Sequence, residues 1–327
     1  MSVDGRVRTA VAMALVTAVV GATAACGDSG ADDGRLSVVA GFYPLQFVAE
    51  RVGGDHVRVT SLTQPGAEPH DLELSPRQVA GLSEANLVLY LQGFQPAVDE
   101  AVRQAGVRTL DVAALVPLLT AEAGDGHDHG AEGTAEEPAG DEPDGHEDEG
   151  QSDPGSRDPH VWLDPTRLAT IADAVATTLA ELDPDDAAGY RERAAGLQAD
   201  LTALDREYTD GLRDCVRREI VVSHAAFGYL ADRYDLRQIP ITGLSPDTEP
   251  TPGELAAAVE TARAVGATTI FFETLVSPDV AQAVADAIGA DTAVLDPIEG
   301  LGPDVTGDYL SVMRDNLATL RTALGCA

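Results

Sequence analysis

Basic side chains are scarce in this chain of 327 residues. Lysine and arginine total 21, against 55 aspartates and glutamates, which gives a formal charge of −34 at pH 7. Such a surface repels phosphate backbones and anionic lipid headgroups, so nucleic acid is a poor candidate partner. The hydrophobic content of 44% is sufficient for ordinary packed cores, and the length corresponds to roughly two domains.

An apolar run near the N-terminus is too short to span a bilayer comfortably. It extends from Val11 to Ala25 and follows Arg6 and Arg8, which is the arrangement of a secretory signal peptide. We therefore predict that residues 1–26 form a signal peptide and that the folded protein lies outside the cytoplasm.

Cysteine is rare, and the first of the three cysteines ends this segment. Small residues precede Cys26 in the sequence TAACG (23–27), which resembles a lipobox whose cysteine is lipidated. We predict that Cys26 anchors the protein to the outer face of the cell membrane and that residues 27–35 form a polar tether. A simple secretory peptide with an incidental cysteine is the alternative.

The two other cysteines are Cys215 and Cys326. An exported protein meets an oxidising environment, in which disulfides form and persist. We predict a disulfide between these residues that joins the C-terminus to the start of a second lobe. Two separate thiols are the alternative.

From Leu36 onwards, short apolar runs alternate with longer amphipathic stretches, the pattern of βα units and parallel sheets. Strands are predicted at 36–41, 57–62, 86–91, 107–112, 218–223, 237–242, 268–273 and 292–297. Helices are predicted near 43–53, 76–84, 95–104, 166–183, 225–234, 252–265, 278–289 and 306–324. This rhythm predicts an α/β lobe over 36–183 and a second over 215–327. A helix over 184–214, roughly 45 Å long, would connect them as a rigid strut.

Composition changes abruptly within the first lobe. Residues 121–158 contain fourteen acidic residues, one arginine and almost no large apolar side chains. Such a segment cannot bury enough surface to offset the entropy lost on ordering. We therefore expect a disordered acidic loop here.

Three histidines lie where predicted strands end or helices begin, which favours a functional role over core packing. His70 lies in GAEPHDLELSP, His160 in DPHVWLDP and His224 in SHAAFGYLA. Asp158 or Asp164 could orient the ring of His160. Neutral imidazoles suit Zn²⁺, whose fourth position is often taken by a carboxylate or water.

The last predicted strand leads into LDPIEG (295–300), which offers two carboxylates. We favour Glu299 narrowly over Asp296 as the fourth ligand. Glu68, two residues before His70, is a third possibility. Each of these acids could instead cap a helix or form a surface ion pair.

In this order and spacing, GAEPHDLELSP, DPHVWLDP, SHAAFGYLA and LDPIEGL resemble the metal-site motifs of the zinc-binding solute-binding lipoproteins of ABC transporters, the ZnuA/AdcA type of the cluster A-I family. The resemblance covers residues 36–326. It implies two Rossmann-like α/β lobes joined by a long rigid helix, with the metal in the cleft between them. It also implies that His70 and His160 come from the first lobe and His224 from the second. Related manganese binders usually carry a glutamate at the third histidine, so His224 favours zinc.

The acidic loop is a second candidate metal feature. His127, His129 and His146 lie there among carboxylates and could bind Zn²⁺ weakly. The resemblance supports this interpretation, because zinc-specific members often carry a histidine-rich acidic loop at this place. A solvated linker is the alternative.

The function that the resemblance implies is capture of Zn²⁺ outside the cytoplasm and delivery to an ABC permease, by a protein that is a monomer and not an enzyme. A manganese or iron receptor of the same architecture is the nearest rival. A zinc hydrolase is a second rival, although the sequence contains neither HExxH nor GxSxG. A surface adhesin is a third, and it explains none of the histidine contexts.

Overall fold

The computed structural model describes residues 34–120, 157–246, 248–302 and 307–327. Within these ranges, eight strands form two parallel sheets of four. The first sheet comprises β1 (Leu36–Ala40), β2 (Val57–Ser61), β3 (Leu87–Tyr90) and β4 (Thr109–Asp111). The second comprises β5 (Glu219–Val222), β6 (Arg237–Pro240), β7 (Thr269–Phe272) and β8 (Asp291–Val294). The prediction of two α/β lobes is confirmed.

Both sheets have the same topology. The strand orders are β2-β1-β3-β4 and β6-β5-β7-β8. In each sheet the first strand lies at the centre, and the chain crosses to one side of it for the second strand and to the other side for the third. Open parallel sheets bind ligands beyond the carboxyl ends of the strands where this reversal occurs. These points lie between β1 and β3 and between β5 and β7.

The helices cover the sheets and connect successive strands. Their ranges are α1 (Tyr43–Gly53), α2 (Pro76–Glu84), α3 (Pro96–Ala105), α4 (Pro165–Leu182), α5 (Ala187–Gly211), α6 (Gly228–Tyr234), α7 (Pro252–Ala264), α8 (Asp279–Ile288) and α9 (Tyr309–Leu324). Capping boxes at Ser75, Thr251 and Asp308 fix the starts of α2, α7 and α9, because each side chain satisfies a backbone N–H that the first turn leaves free. Within the described ranges, no helix combines the length and apolar character needed to cross a membrane.

The α-helix between the lobes is shorter than the sequence predicts. A 3₁₀ turn occupies Pro184–Asp186, and the α-helix α5 begins at Ala187 and ends at Gly211. Its 25 residues give a length of about 38 Å rather than 45 Å. It packs against α1 and α4 before it and α9 after it. Leu197, Leu204 and Tyr208 of α5 belong to one large buried cluster that continues into both lobes.

A disulfide joins Cys215, just beyond α5, to Cys326, just beyond α9. The backbone N–H groups of Val216 and Arg217 both donate to the carbonyl of Leu324 beside it. The two ends of the second lobe are therefore fastened together.

Several predicted features lie outside the described residues. They are the signal peptide, Cys26, most of the tether, and the loop histidines His127, His129 and His146. The predicted end of the acidic loop was wrong, because Arg157 and Asp158 belong to the folded body. Arg157 pairs with Thr120 in an isolated bridge, and the side chain of Asp158 is buried.

Candidate metal centre

Three imidazoles converge on one carboxylate between the lobes. Nε2 of His70, His160 and His224 lies 3.3, 2.9 and 3.2 Å from Oε1 of Glu299. One atom from each of the four side chains lies within 4.8 Å of the others. His160, His224 and Glu299 are fully buried, and His70 is largely so. No other described residues bring imidazoles together in this way.

The spacing of these atoms fits a tetrahedral Zn²⁺ ion. Four ligands at 2.0–2.1 Å from zinc would be separated from each other by about 3.3–3.4 Å. The distances from Glu299 to His70 and His224 match this edge, and the distance to His160 is slightly shorter. Three imidazole nitrogens and one carboxylate oxygen are also a typical zinc donor set.

The first lobe holds His70 in the loop after β2. The backbone N–H of His70 donates to Oε1 of Glu68 at 3.0 Å, and its ring meets Phe94 edge-on with centroids 4.7 Å apart. The preceding carbonyl, of Pro69, accepts from Nε2 of Gln95 at 3.1 Å. The buried amide of Gln95 therefore ties this loop to the start of α3.

His160 precedes a 3₁₀ turn at Val161–Leu163 that leads into α4. Oδ1 of Asp158 accepts from the backbone N–H of His160 at 2.9 Å and lies 2.8 Å from Nδ1 of its ring. A proton on Nδ1 leaves the lone pair of Nε2 free to bind a metal. Asp164 instead accepts from the backbone N–H of Thr166 and caps α4.

The second lobe holds His224 directly beyond β5, at the point where the strand order reverses. Nδ1 of His224 lies 2.7 Å from Oε1 of Glu273, which also accepts from the hydroxyl of Ser223 at 3.1 Å. Glu273 follows β7, the neighbour of β5, and is buried. The sequence interpretation missed Glu273 because it read as the last residue of a strand. An acid that ends an apolar strand was the available signal.

The loop after β8 aims Glu299 at the imidazoles. Ile298 has φ +59°, a left-handed conformation that is rare for a β-branched residue and indicates local strain. Oδ1 of Asp296 accepts from the backbone N–H of Ile298 at 2.7 Å, and Oδ2 accepts from the hydroxyl of Thr274 at 2.8 Å. The indole N–H of Trp162 donates to the carbonyl of Pro297 at 2.7 Å. Asp296 thus braces this loop and lies outside the candidate ligand group, whereas Glu299 belongs to it, so Glu299 stays the proposed fourth ligand.

A second group of carboxylates borders the imidazoles. Oxygens of Glu68, Glu273 and Glu299 lie within 4.8 Å of one another. In the part of the chain that the structure describes, Oε2 of each has no hydrogen-bond partner. Neighbouring buried carboxylates repel each other, so each must be balanced by a positive charge or hold a proton. Glu68 lies outside the group with the imidazoles, and burial together with the charge of Glu299 raises its pKa, which favours the protonated form.

The pKa values show how the charges of these groups balance. Burial would raise the pKa of Glu299, but the charge of His70 and hydrogen bonds from all three imidazoles hold it well below its usual range. Burial would lower the pKa of His224, but Glu273 and Glu299 outweigh it and raise the value to about 10. The pKa of His160 is raised in the same way by Asp158 and Glu299. Burial, followed by the charge of Glu299, raises the pKa of Glu68 to about 9.

The chain is similar to known proteins over most of its length. A family model described as "ZnuA: Zinc-uptake complex component A periplasmic" matches residues 38–323. The zinc-binding lipoprotein AdcA of Streptococcus pneumoniae serotype 4 is 32% identical over 307 residues, which is 91% of this chain and 57% of that protein. The high-affinity zinc uptake system protein ZnuA of Bacillus subtilis is 31% identical over 317 residues, 95% of this chain and 94% of that protein. The chain therefore spans a little over half the length of AdcA.

Solved structures are similar over a comparable range. The laminin-binding protein Lmb of Streptococcus agalactiae, described as having adhesin and metal-transporting activity, aligns with a TM-score of 0.74 at 28% identity. The alignment covers 88% of this chain and 99% of that one. The Zn(II)-bound ZnuA-like domain of Streptococcus pneumoniae AdcA aligns with a TM-score of 0.71 at 29% identity, over 89% of this chain and 99% of that domain.

Proposed function

The chain belongs to the ZnuA family, and from this premise we propose that it captures Zn²⁺ outside the cytoplasm and delivers it to an ABC permease. One observation carries the proposal. Three imidazole nitrogens lie 2.9–3.3 Å from a single buried carboxylate oxygen, with residues from both lobes. A cation that binds all four groups would stabilise the lobes against each other through its differential affinity for the assembled site.

The donor set favours zinc over manganese or iron. Imidazole suits Zn²⁺, whereas Mn²⁺ prefers carboxylate, carbonyl and water oxygens. In this site nitrogen donors outnumber the single carboxylate among the four groups. The fully buried imidazoles of His160 and His224 also contact the carboxylates of Asp158 and Glu273. Such carboxylate partners typically orient metal-binding histidines.

We infer that the protein is a receptor rather than an enzyme. A catalytic zinc keeps one position open for water or substrate, whereas Glu299 faces all three imidazoles from the fourth position here. The zinc-uptake names of its relatives support the same interpretation. Lmb is described as having adhesin activity, but no feature of the described residues indicates adhesion for this chain.

The location and the partners are proposed from sequence and family together. The small residues before Cys26 and the lipoprotein description of AdcA support a lipid anchor on the outer face of the cell membrane. We expect the protein to act as a monomer that presents its loaded form to the permease. The loop histidines His127, His129 and His146 are proposed as weak additional zinc sites.

Elemental analysis and competitive titration test the proposed function. The purified protein should bind one Zn²⁺ tightly and should retain it against excess Mn²⁺. A triple variant with His70, His160 and His224 replaced by alanine should lose this tight binding while keeping its fold by circular dichroism. Preference for Mn²⁺, or undiminished zinc binding by the triple variant, would contradict the proposal.

A further inference from the structure

The four proposed ligands differ in their exposure to solvent. The side chains of His160, His224 and Glu299 are fully buried, whereas that of His70 is 11% exposed. His70 is therefore the member of the group that solvent reaches directly. A small molecule that approaches the site from outside meets this imidazole first.

His70 is also held less firmly than the two other imidazoles. Asp158 and Glu273 lie 2.8 and 2.7 Å from Nδ1 of His160 and His224. Across the described ranges, no residue forms a hydrogen bond with Nδ1 of His70, whose ring is packed against Phe94. A carboxylate partner fixes an imidazole and strengthens its bond to a metal. An incoming ligand would consequently displace the imidazole of His70 from a metal more easily than those of His160 and His224.

A cavity of about 370 Å³ lies between the lobes and is lined by His70 but by none of the other proposed ligands. Its walls include Leu91–Phe94 and Pro159 from the first lobe and Leu244 and Ser245 from the second. A divalent ion with about six waters of roughly 30 Å³ each would need about 180 Å³. The cavity can therefore admit a hydrated ion or a small chelator as far as His70.

A smaller cavity between the lobes offers no such access. Its volume is about 140 Å³, and it is lined by residues that include Tyr43, Gln64 and Leu301. None of the four proposed ligands lines it. It therefore provides a matched control for the larger cavity.

We propose that zinc reaches and leaves its site through the larger cavity, and that His70 is the last imidazole to bind it and the first to be displaced. This route rests on the zinc function proposed above. During release, a bond forms between zinc and the incoming chelator as the bond to Nε2 of His70 breaks. The deep imidazoles and Glu299 are displaced afterwards. The rate of transfer to a small chelator therefore increases with chelator concentration.

A bulky side chain in the wall of the cavity tests the route. Ser245→Trp should slow both zinc capture and transfer to EDTA by at least about tenfold in stopped-flow measurements, while the equilibrium dissociation constant stays unchanged. Gln64→Trp, in the smaller cavity, should leave both rates as in the wild type. Unchanged rates in Ser245→Trp, or equal slowing in Gln64→Trp, would overturn the route.

Removal of a charge from the same cavity should act in the opposite direction. Arg157 lines the larger cavity, and its guanidinium repels an approaching divalent ion. Arg157→Ala should therefore capture Zn²⁺ faster than the wild type at low ionic strength. A capture rate equal to or below that of the wild type would count against passage of the ion beside Arg157.

The wild-type protein supplies a test that does not depend on the folding of any variant. Transfer to free EDTA should accelerate with concentration, whereas transfer to EDTA coupled to a large dextran should stay at a slow, constant rate. Equal rates with both chelators would refute the route even if zinc binds as proposed. Failure of the wild type to bind zinc at all would instead refute the proposed function.

Discussion

The two lobes share one strand order but differ in which of their strands precede the metal-site residues. The first lobe offers His70 after its second strand and His160 beyond its fourth, whereas the second offers His224 after its first strand and Glu299 after its fourth. Each lobe adds one carboxylate that holds its own deep imidazole. The shared topology thus determines the edge where these residues gather, and the loops determine which strands carry them.

The hydrophobic cores of the two lobes are arranged alike. The largest buried cluster combines one face of each sheet with α4, α5 and α9. The other face of the first sheet packs in a small cluster that includes Val39 and Val88, and the other face of the second sheet packs in one that includes Val221, Ile270 and Val284. Each lobe therefore has a small core of its own beside the core that both share.

The largest expected effect comes from removing one deep imidazole from either lobe. His160→Ala and His224→Ala should each weaken zinc binding more than about 100-fold, because loss of the imidazoles' supporting partners alone typically costs 10–100-fold. Competition with a chelator of known affinity measures the change. His56→Ala is the control, since His56 is half exposed and faces Asp186 rather than the site. An equal loss in that variant would contradict the assignment.

The disulfide is present in the second lobe alone among the described residues, and its removal should destabilise that lobe. The double variant Cys215→Ser, Cys326→Ser opens a loop closed over a separation of 111 residues and should lower the free energy of unfolding by about 2–4 kcal/mol. Urea denaturation under non-reducing conditions measures the loss. Zinc affinity should change little, because neither cysteine belongs to the side chains that could hold the metal. A stability equal to that of the wild type would show that the disulfide does not stabilise the second lobe.

The supporting carboxylates of the two lobes should have similar, intermediate effects. Asp158→Asn and Glu273→Gln keep an oxygen near Nδ1 but lose the negative charge, so each should weaken zinc binding about 10–100-fold. Isothermal titration with a competing chelator gives the comparison. Glu219→Gln, at the start of β5 beside Arg237, is the matched control. A loss confined to one lobe would show that the two supports are not equivalent.

The smallest expected effect is the change in zinc affinity with pH. In the metal-free protein Asp158 and Glu299 raise the pKa of His160, and Glu273 and Glu299 raise the pKa of His224 to about 10, so the ring of His224 is positively charged near neutral pH. Zinc must displace the proton from Nε2 of an imidazole that it binds, and its affinity should therefore fall as pH decreases, by about tenfold per pH unit for each proton released. Calorimetry in buffers of different ionisation enthalpy counts the protons. An affinity that is unchanged between pH 8 and pH 6 would contradict histidine ligation.

The secondary structure followed closely from the sequence. Hydrophobic patterning and Pro-containing N-termini gave α1 and α2 their observed bounds. α6 begins at Gly228 rather than 225, because the backbone N–H of Ala225 donates to the carbonyl of Gly243 and the chain turns around His224 before the helix can start. Local patterns cannot reveal such contacts between distant segments.

The candidate site was less accessible to sequence reasoning than the fold. The three histidines could be identified because each has an unusual loop context, but the choice between Asp296 and Glu299 depends on the left-handed conformation of Ile298. No sequence rule predicts that conformation for a β-branched residue. Glu273 was missed because its role depends on the adjacency of β7 and β5, which becomes visible only when the sheet is assembled.

Trp162 is the single tryptophan of the chain, and its position has a practical consequence. It is buried next to His160, with ring centroids 5.3 Å apart, and its indole N–H donates across the lobes to Pro297, two residues before Glu299. Its fluorescence therefore originates at the junction where an ion would draw the lobes together. A change in the fluorescence of Trp162 should report zinc binding, so binding can be followed in the unlabelled protein.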